Sequence, residues 1–189
     1  KNVRLLYVGK INRNKNLTLT LRACEKLKDK GFYVRYTVVG DVSNSSGYKI
    51  LDELKSRDFV HYVPGVPFKD LINYYRDNDI FVMPSITESF GLVYAEALTQ
   101  GMPIIYTKGQ GFDRQFEDKT VGVAVRSDSV EDLVNAVEYI VNNYNRLSKA
   151  AYEKSVVFSW PAIAERFLAE IGGEVYEGLS LNQCRCSCI

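Results

Sequence analysis

The sequence predicts an α/β fold built on a parallel, doubly wound sheet. Short apolar runs of about four to eight residues alternate along the chain with segments of helical periodicity. The runs are almost continuously apolar, which is typical of strands that are covered on both faces. Strands that alternate with helices in this way form βαβ units, in which neighbouring strands run parallel.

The first half of the chain supplies three strands and two helices. The first strand ends at Gly9, and the helix after it places Leu17, Leu21, Cys24 and Leu27 on one face and ends before Gly31. A polar loop over 43–47 precedes the second helix. In order, the predicted elements are strand 3–9, helix 16–30, strand 33–40, helix 48–57 and strand 59–63.

The second half continues the alternation. Pro67 suits the first turn of a helix, Pro84 closes a strand, and Asp128 with Glu131 forms a candidate capping pair. In order, the predicted elements are a helix from Pro67 to about Arg76, strand 80–83, helix 91–100, strand 103–106, a short helix 111–117, strand 121–125, and helices to about 143, over 146–157 and over 161–171. The result is a Rossmann-like sheet of about six strands flanked by helices.

Residues 1–171 are predicted to form one domain, and 172–189 a tail that is disordered or was appended for expression. The tail carries Cys184, Cys186 and Cys188. A metal site is the alternative interpretation, but no nearby fourth ligand completes a tetrahedral shell. Because the chain opens at Lys1, without Met, we expect it to be part of a longer protein.

Composition narrows the function classes. The chain has 24 Lys and Arg against 23 Asp and Glu, a net charge of +1, which argues against a nucleic-acid surface built on bulk positive charge. No apolar run approaches the roughly 20 residues that span a bilayer, and no secretory signal precedes the first strand. We therefore expect a cytoplasmic protein.

The loop after the first strand, residues 9–16, is a candidate anion site. It places Lys10, Arg13 and Lys15 between a strand end and a helix start, where backbone N–H groups also favour anions. A solvated basic loop is an equally good interpretation of this segment alone. Neither a G-x-G-x-x-G nor a Walker pattern is present.

Residues 84–103 form a second candidate site. Glu88 and Glu96 are separated by seven residues, and between them Phe90 and Gly91 lead into a predicted helix whose N–H groups at 91–93 can bind phosphate. Each carboxylate can accept two hydroxyl hydrogen bonds. The alternatives are capping of the helix by Glu96 and a loop hydrogen bond by Glu88.

This second segment resembles the E-x7-E signature of the family 4 retaining glycosyltransferases of the GT-B fold, glycosyl transferase group 1. Other landmarks occur in the family's order: Gly9-Lys10 with Lys15-Asn16-Leu17, Val39-Gly40-Asp41, the run 79–85, Gly109-Gln110-Gly111 and Phe158-Ser159-Trp160. The resemblance covers residues 3–171 and only the family's C-terminal, donor-binding domain.

The resemblance implies a role for each matching residue. Lys10, Lys15 and Glu88 would be catalytic: the two lysines neutralise the departing diphosphate, and Glu88 holds hydroxyls of the transferred sugar. Glu96 would bind the ribose hydroxyls. The donor-binding residues as a whole would be Gly9, Lys10, Lys15, Glu88, Phe90, Gly91, Leu92, Val93 and Glu96, with residues 63–66 along the base. Two departures from the family pattern are Lys10 in place of its usual Arg and Ser89 in place of a common Gly.

Two further polar features are interpreted as structural. Asp77-Asn78-Asp79 matches the metal-binding D-x-D of a different glycosyltransferase fold, but it lies before a predicted strand rather than after one. His61 is a single histidine on a short strand, and the family's catalytic-site histidine belongs to the N-terminal domain.

The implied function is the donor-binding half of a retaining glycosyltransferase in polysaccharide or glycoconjugate biosynthesis. It would need no metal and no cofactor, and its substrate would be a UDP-, GDP- or ADP-sugar. Transfer would require an N-terminal, acceptor-binding domain absent from this chain, and the complete enzyme would act in the cytoplasm or at the cytoplasmic face of the membrane. The alternatives are a GT-B-fold nucleotide-sugar epimerase and a non-catalytic nucleotide-sugar binding module.

Overall fold

A computed structural model describes residues 1–170; the predicted tail and its three cysteines lie outside the described residues. The chain divides into two compact units, Lys1–Ser155 and the residues from Val156 onward. The first unit carries the sheet and both candidate sites.

The sheet is six-stranded and parallel throughout, as the sequence predicts. Its order is β3-β2-β1-β4-β5-β6, so the direction of winding reverses between β1 and β4. The strands are β1 (Asn2–Val8), β2 (Tyr33–Val39), β3 (Val60–Val63), β4 (Ile80–Val82), β5 (Ile104–Thr107) and β6 (Gly122–Val125). The longest pairing is between β1 and β2, which runs from Asn2 opposite Tyr33 to Val8 opposite Val39.

Within residues 1–170, seven α-helices follow the predicted order. They are α1 (Leu17–Asp29), α2 (Ser45–Lys55), α3 (Phe68–Arg76), α4 (Leu92–Thr99), α5 (Val130–Asn142), α6 (Tyr144–Lys154) and α7 (Trp160–Glu170), with 3₁₀ turns at Arg13–Lys15 and Ser155–Phe158. Among the described residues, no helix is long and apolar enough to cross a membrane.

The core lies between the sheet and its helices. β4 is buried along its length, which fits a central strand covered on both faces. The four residues predicted to share one face of α1, Leu17, Leu21, Cys24 and Leu27, are all buried. Burial raises the pKa of the Cys24 thiol, so this cysteine is a protonated, apolar core group.

Three local predictions are wrong. The segment 43–47 is not all loop, because the Asn44 side chain accepts a hydrogen bond from the Gly47 N–H and starts α2 at Ser45. Residues 111–117 form turns instead of a short helix, and Arg114 there has a positive φ of 71°. The cap of α5 is Ser129, whose hydroxyl accepts from the Asp132 N–H at 3.1 Å, and neither member of the pair Asp128 and Glu131.

The Asp77-Asn78-Asp79 segment lies at the amino end of β4, away from the candidate sites. Asp79 forms an ion pair with Arg4 at 2.6 Å, at the start of β1. Asn78 is buried and hydrogen-bonds to Thr37 and to the Tyr74 carbonyl. These contacts support the structural interpretation of the Asp77-Asn78-Asp79 segment.

His61 is exposed on β3, an edge strand.

Candidate functional site

The two candidate sites form one site at the carboxyl ends of β1 and β4. These strands are neighbours, and the winding of the sheet reverses between them. In doubly wound sheets this position leaves a crevice between the loops, where ligands bind. The loop after β1 carries the predicted cations, and the loop after β4 carries Glu88.

Asn14 joins these two loops. Its side-chain amide donates to the Thr87 carbonyl at 2.7 Å, and its side-chain oxygen accepts from the Thr87 N–H at 3.0 Å. The Asn14 carbonyl also accepts from the Ile86 N–H at 2.8 Å. Three hydrogen bonds made by one residue therefore fix the loop of residues 9–16, called the lysine loop below, relative to Ile86 and Thr87, which precede Glu88.

Asn16 anchors the other end of the lysine loop. It is the N-cap of α1 and has a left-handed backbone, with φ 59° and ψ 36°. Its amide nitrogen donates to the Pro84 carbonyl at 3.0 Å and to the Ser127 carbonyl at 2.7 Å. The αL conformation, which Asn tolerates better than most residues, turns the chain from the loop into the helix.

Lys15 and Glu88 are in direct contact. Their Nζ and Oε2 atoms are 2.5 Å apart, and the two side chains are only 21% and 11% exposed. Two residues that lie 73 positions apart in sequence, and that the resemblance implies to be catalytic, thus meet in a partly desolvated pair. Glu88 does take part in a loop hydrogen bond, but its donor is Lys15, a cation of the first candidate site.

A third loop, after β5, holds the Glu88 backbone from its other side. The Glu88 N–H donates to the Gln110 side-chain oxygen, and the Glu88 carbonyl accepts from the Gly111 N–H, each at 2.9 Å. Gly111 lies so close to this loop that a Cβ there would overlap the Ser89 carbonyl oxygen. A glycine at 111 is therefore required for the two loops to pack.

Lys10 occupies a more open position than Lys15. Its side chain is 64% exposed, and its Nζ is 3.8 Å from Asp41 Oδ2. The other oxygen of Asp41 accepts from the Gly65 N–H at 2.9 Å. Asp41 therefore lies between the first cation of the lysine loop and the segment predicted to run along a base.

Two buried tyrosines donate hydrogen bonds to the backbone of the loops after β1 and β4. Tyr7, before Gly9, donates its hydroxyl to the Lys10 carbonyl at 2.8 Å, and Tyr94 donates to the Met83 carbonyl at 2.6 Å. Burial, and then the negative charge of Glu88, raises the pKa of both phenols, so both remain donors at neutral pH.

The segment 90–93 forms the start of α4, as the sequence predicts. Gly91 is the N-cap with a φ of 79°, and no side chain caps this helix end. Phe90 is half-buried against Phe112, with ring centroids 5.7 Å apart, whereas Leu92 is exposed. An N-terminus without a side-chain cap presents backbone N–H groups and a positive dipole end, which favour an anion.

Glu96 does not cap α4. Its Oε2 accepts a hydrogen bond from the Tyr75 hydroxyl at 2.8 Å, which joins α4 to the last turn of α3. Sequence reasoning identified Glu96 but missed Tyr75, Asn14 and the role of Gln110. Each of these acts through a contact with a distant part of the chain, and only Asn14, as a loop amide between two cations, had a local signal.

No group of three or more His, Cys, Asp or Glu side chains within residues 1–170 is arranged to hold a metal ion. The site instead combines two lysines, two carboxylates and a helix N-terminus. Such a set can bind a phosphorylated ligand that also carries hydroxyl groups.

Comparison with known families identifies the family of this chain. Residues 1–154 match the family described as Glycosyl transferases group 1. The chain belongs to this family. The resemblance noted from the E-x7-E segment is therefore confirmed at the level of the family.

The curated relatives of this group 1 domain include D-inositol 3-phosphate glycosyltransferases. The one from Mycobacteroides abscessus is 33% identical over 177 residues, covering 88% of this chain and 38% of the relative. The one from Mycolicibacterium smegmatis is 30% identical over 170 residues, covering 86% and 38%. The chain thus spans about two fifths of their length, and their names do not favour the epimerase alternative.

Solved structures share the fold. Sucrose-phosphate synthase from Thermosynechococcus elongatus superposes with a TM-score of 0.76 at 25% identity, covering 89% of this chain and 44% of that one. The C-terminal domain of a group 1 glycosyl transferase from Francisella tularensis gives 0.70 at 18%, covering 84% and 86%. The Anabaena protein HepE in complex with UDP gives 0.77 at 17%, covering 90% and 48%.

Proposed function

We propose that this group 1 domain binds the donor of a glycosyltransferase, a nucleoside-diphosphate sugar, and that the complete enzyme transfers the sugar to an acceptor with retention of configuration. The observation that carries the proposal is the Lys15–Glu88 pair at the switch point of the sheet, beside the start of α4. The UDP complex of the Anabaena protein, which shares the fold, supports a nucleoside diphosphate as ligand.

The diphosphate would bind between the lysine loop and α4. Breaking the bond from sugar to phosphate places negative charge on the departing diphosphate, and fixed cations and N–H groups stabilise that charge. The Lys15 ammonium carries three protons, of which one serves Glu88 and two remain for phosphate oxygens. Lys10, being exposed and only 3.8 Å from Asp41, is free to turn toward the second phosphate.

Glu88 would accept hydrogen bonds from hydroxyls of the transferred sugar. Its carboxylate is held by Lys15, and its backbone is fixed by Gln110 and Gly111. A carboxylate that does not need to reorganise on binding loses little entropy and fixes the sugar close to the scissile bond. Phe90, Gly91, Leu92 and Val93 would complete the phosphate site, with Gly9 at the turn after β1.

Glu96 would bind the ribose hydroxyls from α4, and residues 63–66 would lie along the base. Asp41 holds the Gly65 N–H, so the base segment is tied to the Lys10 end of the phosphate site. No step in this scheme uses a metal ion or a cofactor. Transfer would require an acceptor-binding domain in addition to this one, and we propose that the complete enzyme works in the cytoplasm, at or near the membrane surface.

Calorimetric titration of residues 1–189 with UDP, GDP and ADP tests the proposal. We expect one of the three to bind, with a dissociation constant in the range of roughly 10 µM to 1 mM and with the same affinity in EDTA as in magnesium. Binding by none of the three would contradict the proposed function. A loss of binding in EDTA would contradict the metal-independent phosphate site.

A further inference from the structure

Tyr75 is a buried residue that has no role in the proposed donor site as described above. It lies in the last turn of α3 and is 3% exposed. Its ring packs at 6.2 Å from the ring of Phe81 on β4, and its hydroxyl reaches Glu96 Oε2 on α4 at 2.8 Å. One side chain therefore links a helix, the central sheet and the carboxylate assigned to the ribose.

We infer that Tyr75 is a positioning residue for ribose recognition, which holds the Glu96 carboxylate in the orientation that accepts the ribose hydroxyls. This inference rests on the proposed function, because it takes the Glu96 ligand to be a ribose. Tyr75 itself does not contact the ligand in this arrangement.

The hydrogen-bonding capacity of the carboxylate permits this role. An ionised carboxylate has about four acceptor sites on its two oxygens. Tyr75 takes one site on Oε2, which leaves Oε1 and the remaining site on Oε2 for two neighbouring hydroxyls. The anchor thus fixes the side-chain torsions of Glu96 and still leaves room for a vicinal diol.

The chemistry of the phenol suits a permanent donor. Burial, and then the charge of Glu96, raises the pKa of Tyr75 far above neutrality, so the hydroxyl proton stays on the tyrosine. Glu96 is half-buried, and a glutamate side chain without such an anchor loses rotamer freedom when it binds a ligand. Tyr75 removes part of that entropic cost before the donor arrives.

A purely structural role for the hydroxyl is the competing interpretation. A buried phenol needs a hydrogen-bond partner, and Glu96 supplies one whether or not it binds ribose. The two interpretations differ in their dependence on the ribose hydroxyls of the ligand. A positioning residue loses its effect when those hydroxyls are removed, whereas a structural residue affects every nucleotide alike.

The test is a cycle of calorimetric titrations on residues 1–189, using the nucleoside diphosphate that binds and its 2′,3′-dideoxy analogue. We expect Tyr75→Phe to weaken the ribonucleotide roughly fivefold, about the effect of one hydrogen bond, and to change the dideoxy affinity less than twofold. Adding Tyr75→Phe to Glu96→Ala should have no further effect. Tyr74→Phe, the same change one residue earlier on α3, is the matched control and should leave both affinities unchanged.

The outcomes separate the inference from the function on which it rests. If wild type prefers the ribonucleotide, Glu96→Ala abolishes that preference and Tyr75→Phe changes both ligands equally or neither, Tyr75 is structural and the inference fails alone. If wild type and Glu96→Ala bind both ligands alike, Glu96 does not contact ribose, and both the assignment and the inference fail. Thermal unfolding of each variant confirms that the titrated protein is folded, and a Tyr75→Phe chain that does not fold would also assign Tyr75 to structure.

Discussion

At the scale of single residues, the pair of Lys15 and Glu88 is the feature that most constrains function. An ion pair that is largely removed from water gains little net stability, because desolvation of the two charges offsets their attraction. Its lysine and its glutamate also match the two positions where the family resemblance implies catalytic roles. The pair is therefore better explained as a preorganised site than as a device for stability.

Replacing Lys15 by Met should expose the cost of leaving Glu88 without its cation. We expect the free energy of unfolding to fall by about 1–3 kcal/mol, and the double variant Lys15→Met/Glu88→Gln to recover at least half of that loss without recovering nucleotide binding. Urea denaturation followed by circular dichroism measures the stability, and calorimetry measures the binding.

The pair of Lys26 and Glu131 provides a matched control for this experiment. Their charged atoms are 2.9 Å apart, but both side chains are more than half exposed. Lys26→Met should therefore cost much less stability than Lys15→Met and leave binding unchanged. Equal losses of stability in the Lys15 and Lys26 variants would contradict the claim that burial makes the Lys15 pair different.

Only part of the residue-level site could be predicted from sequence. Lys10, Lys15, Glu88 and Glu96 carry charges in recognisable spacing, so a motif identifies them. No motif identifies the residues that orient them, because Tyr75 is 21 residues from Glu96 and Asn14 is 73 residues from Thr87. Such contacts depend on which loops the sheet brings together, and no local pattern identifies the partner, even for Asn14 between its two cations.

At the scale of elements, three loops act as one unit. The loop after β1 is joined to the loop after β4 through Asn14, and that loop is joined to the one after β5 through Gln110 and Gly111. Glu88 lies in the middle loop and is held from both sides. A change that separates the outer loops should therefore act on Glu88 even when it alters no charged group.

Gly111→Ala tests this coupling. The added methyl group would overlap the Ser89 carbonyl oxygen, so the loops after β4 and β5 must move apart. We expect a loss of about 1–3 kcal/mol in stability and at least roughly tenfold weaker binding of the donor nucleotide sugar. Measurement of the unfolding temperature and of donor affinity on the same preparation gives both values.

Gly31→Ala is the control for backbone strain without a clash. Gly31 follows α1 with a φ of 84°, and a methyl group there would have no neighbour within 4 Å. This variant should lose about 1–2 kcal/mol of stability through its left-handed backbone and keep its donor affinity. If Gly31→Ala weakened the donor as much as Gly111→Ala does, the effect at Gly111 would reflect general destabilisation.

The elements themselves were largely predictable, since apolar runs and helical faces depend on local sequence. Two of the errors have identifiable physical causes. Ser45, Ser46 and Gly47 are typical of loops, yet Asn44 provides a side-chain cap that lets them begin α2. Residues 111–117 fail as a helix because the chain turns there to reach the Glu88 loop, with Gly109 donating to Asp113 at 2.7 Å.

At the scale of the whole molecule, the order of the strands brings the parts of the candidate site together. The sequence predicts a parallel sheet through its βαβ alternation, but the alternation does not specify which strands are neighbours. Placing β1 beside β4 brings the cations of one loop to the carboxylate of another and sets both beside α4. In the proposed site, Glu96 faces the ribose, the lysines and the start of α4 face the two phosphates, and Glu88 faces the sugar. This order matches the order of groups in a nucleoside-diphosphate sugar.

The most direct test of the proposed site is whether Glu96 contacts the ribose end of the ligand and Glu88 contacts only the sugar end. Glu88→Gln and Glu96→Gln each remove one negative charge and keep the shape of the side chain. Calorimetric titration of residues 1–189 and both variants, with the nucleoside diphosphate and with its sugar conjugate, separates the two ends of the ligand. We expect Glu96→Gln to weaken both ligands by roughly tenfold, and Glu88→Gln to weaken only the sugar conjugate. If Glu96→Gln bound both ligands as wild type does, or if Glu88→Gln weakened the two ligands equally, the proposed orientation of the donor would be wrong.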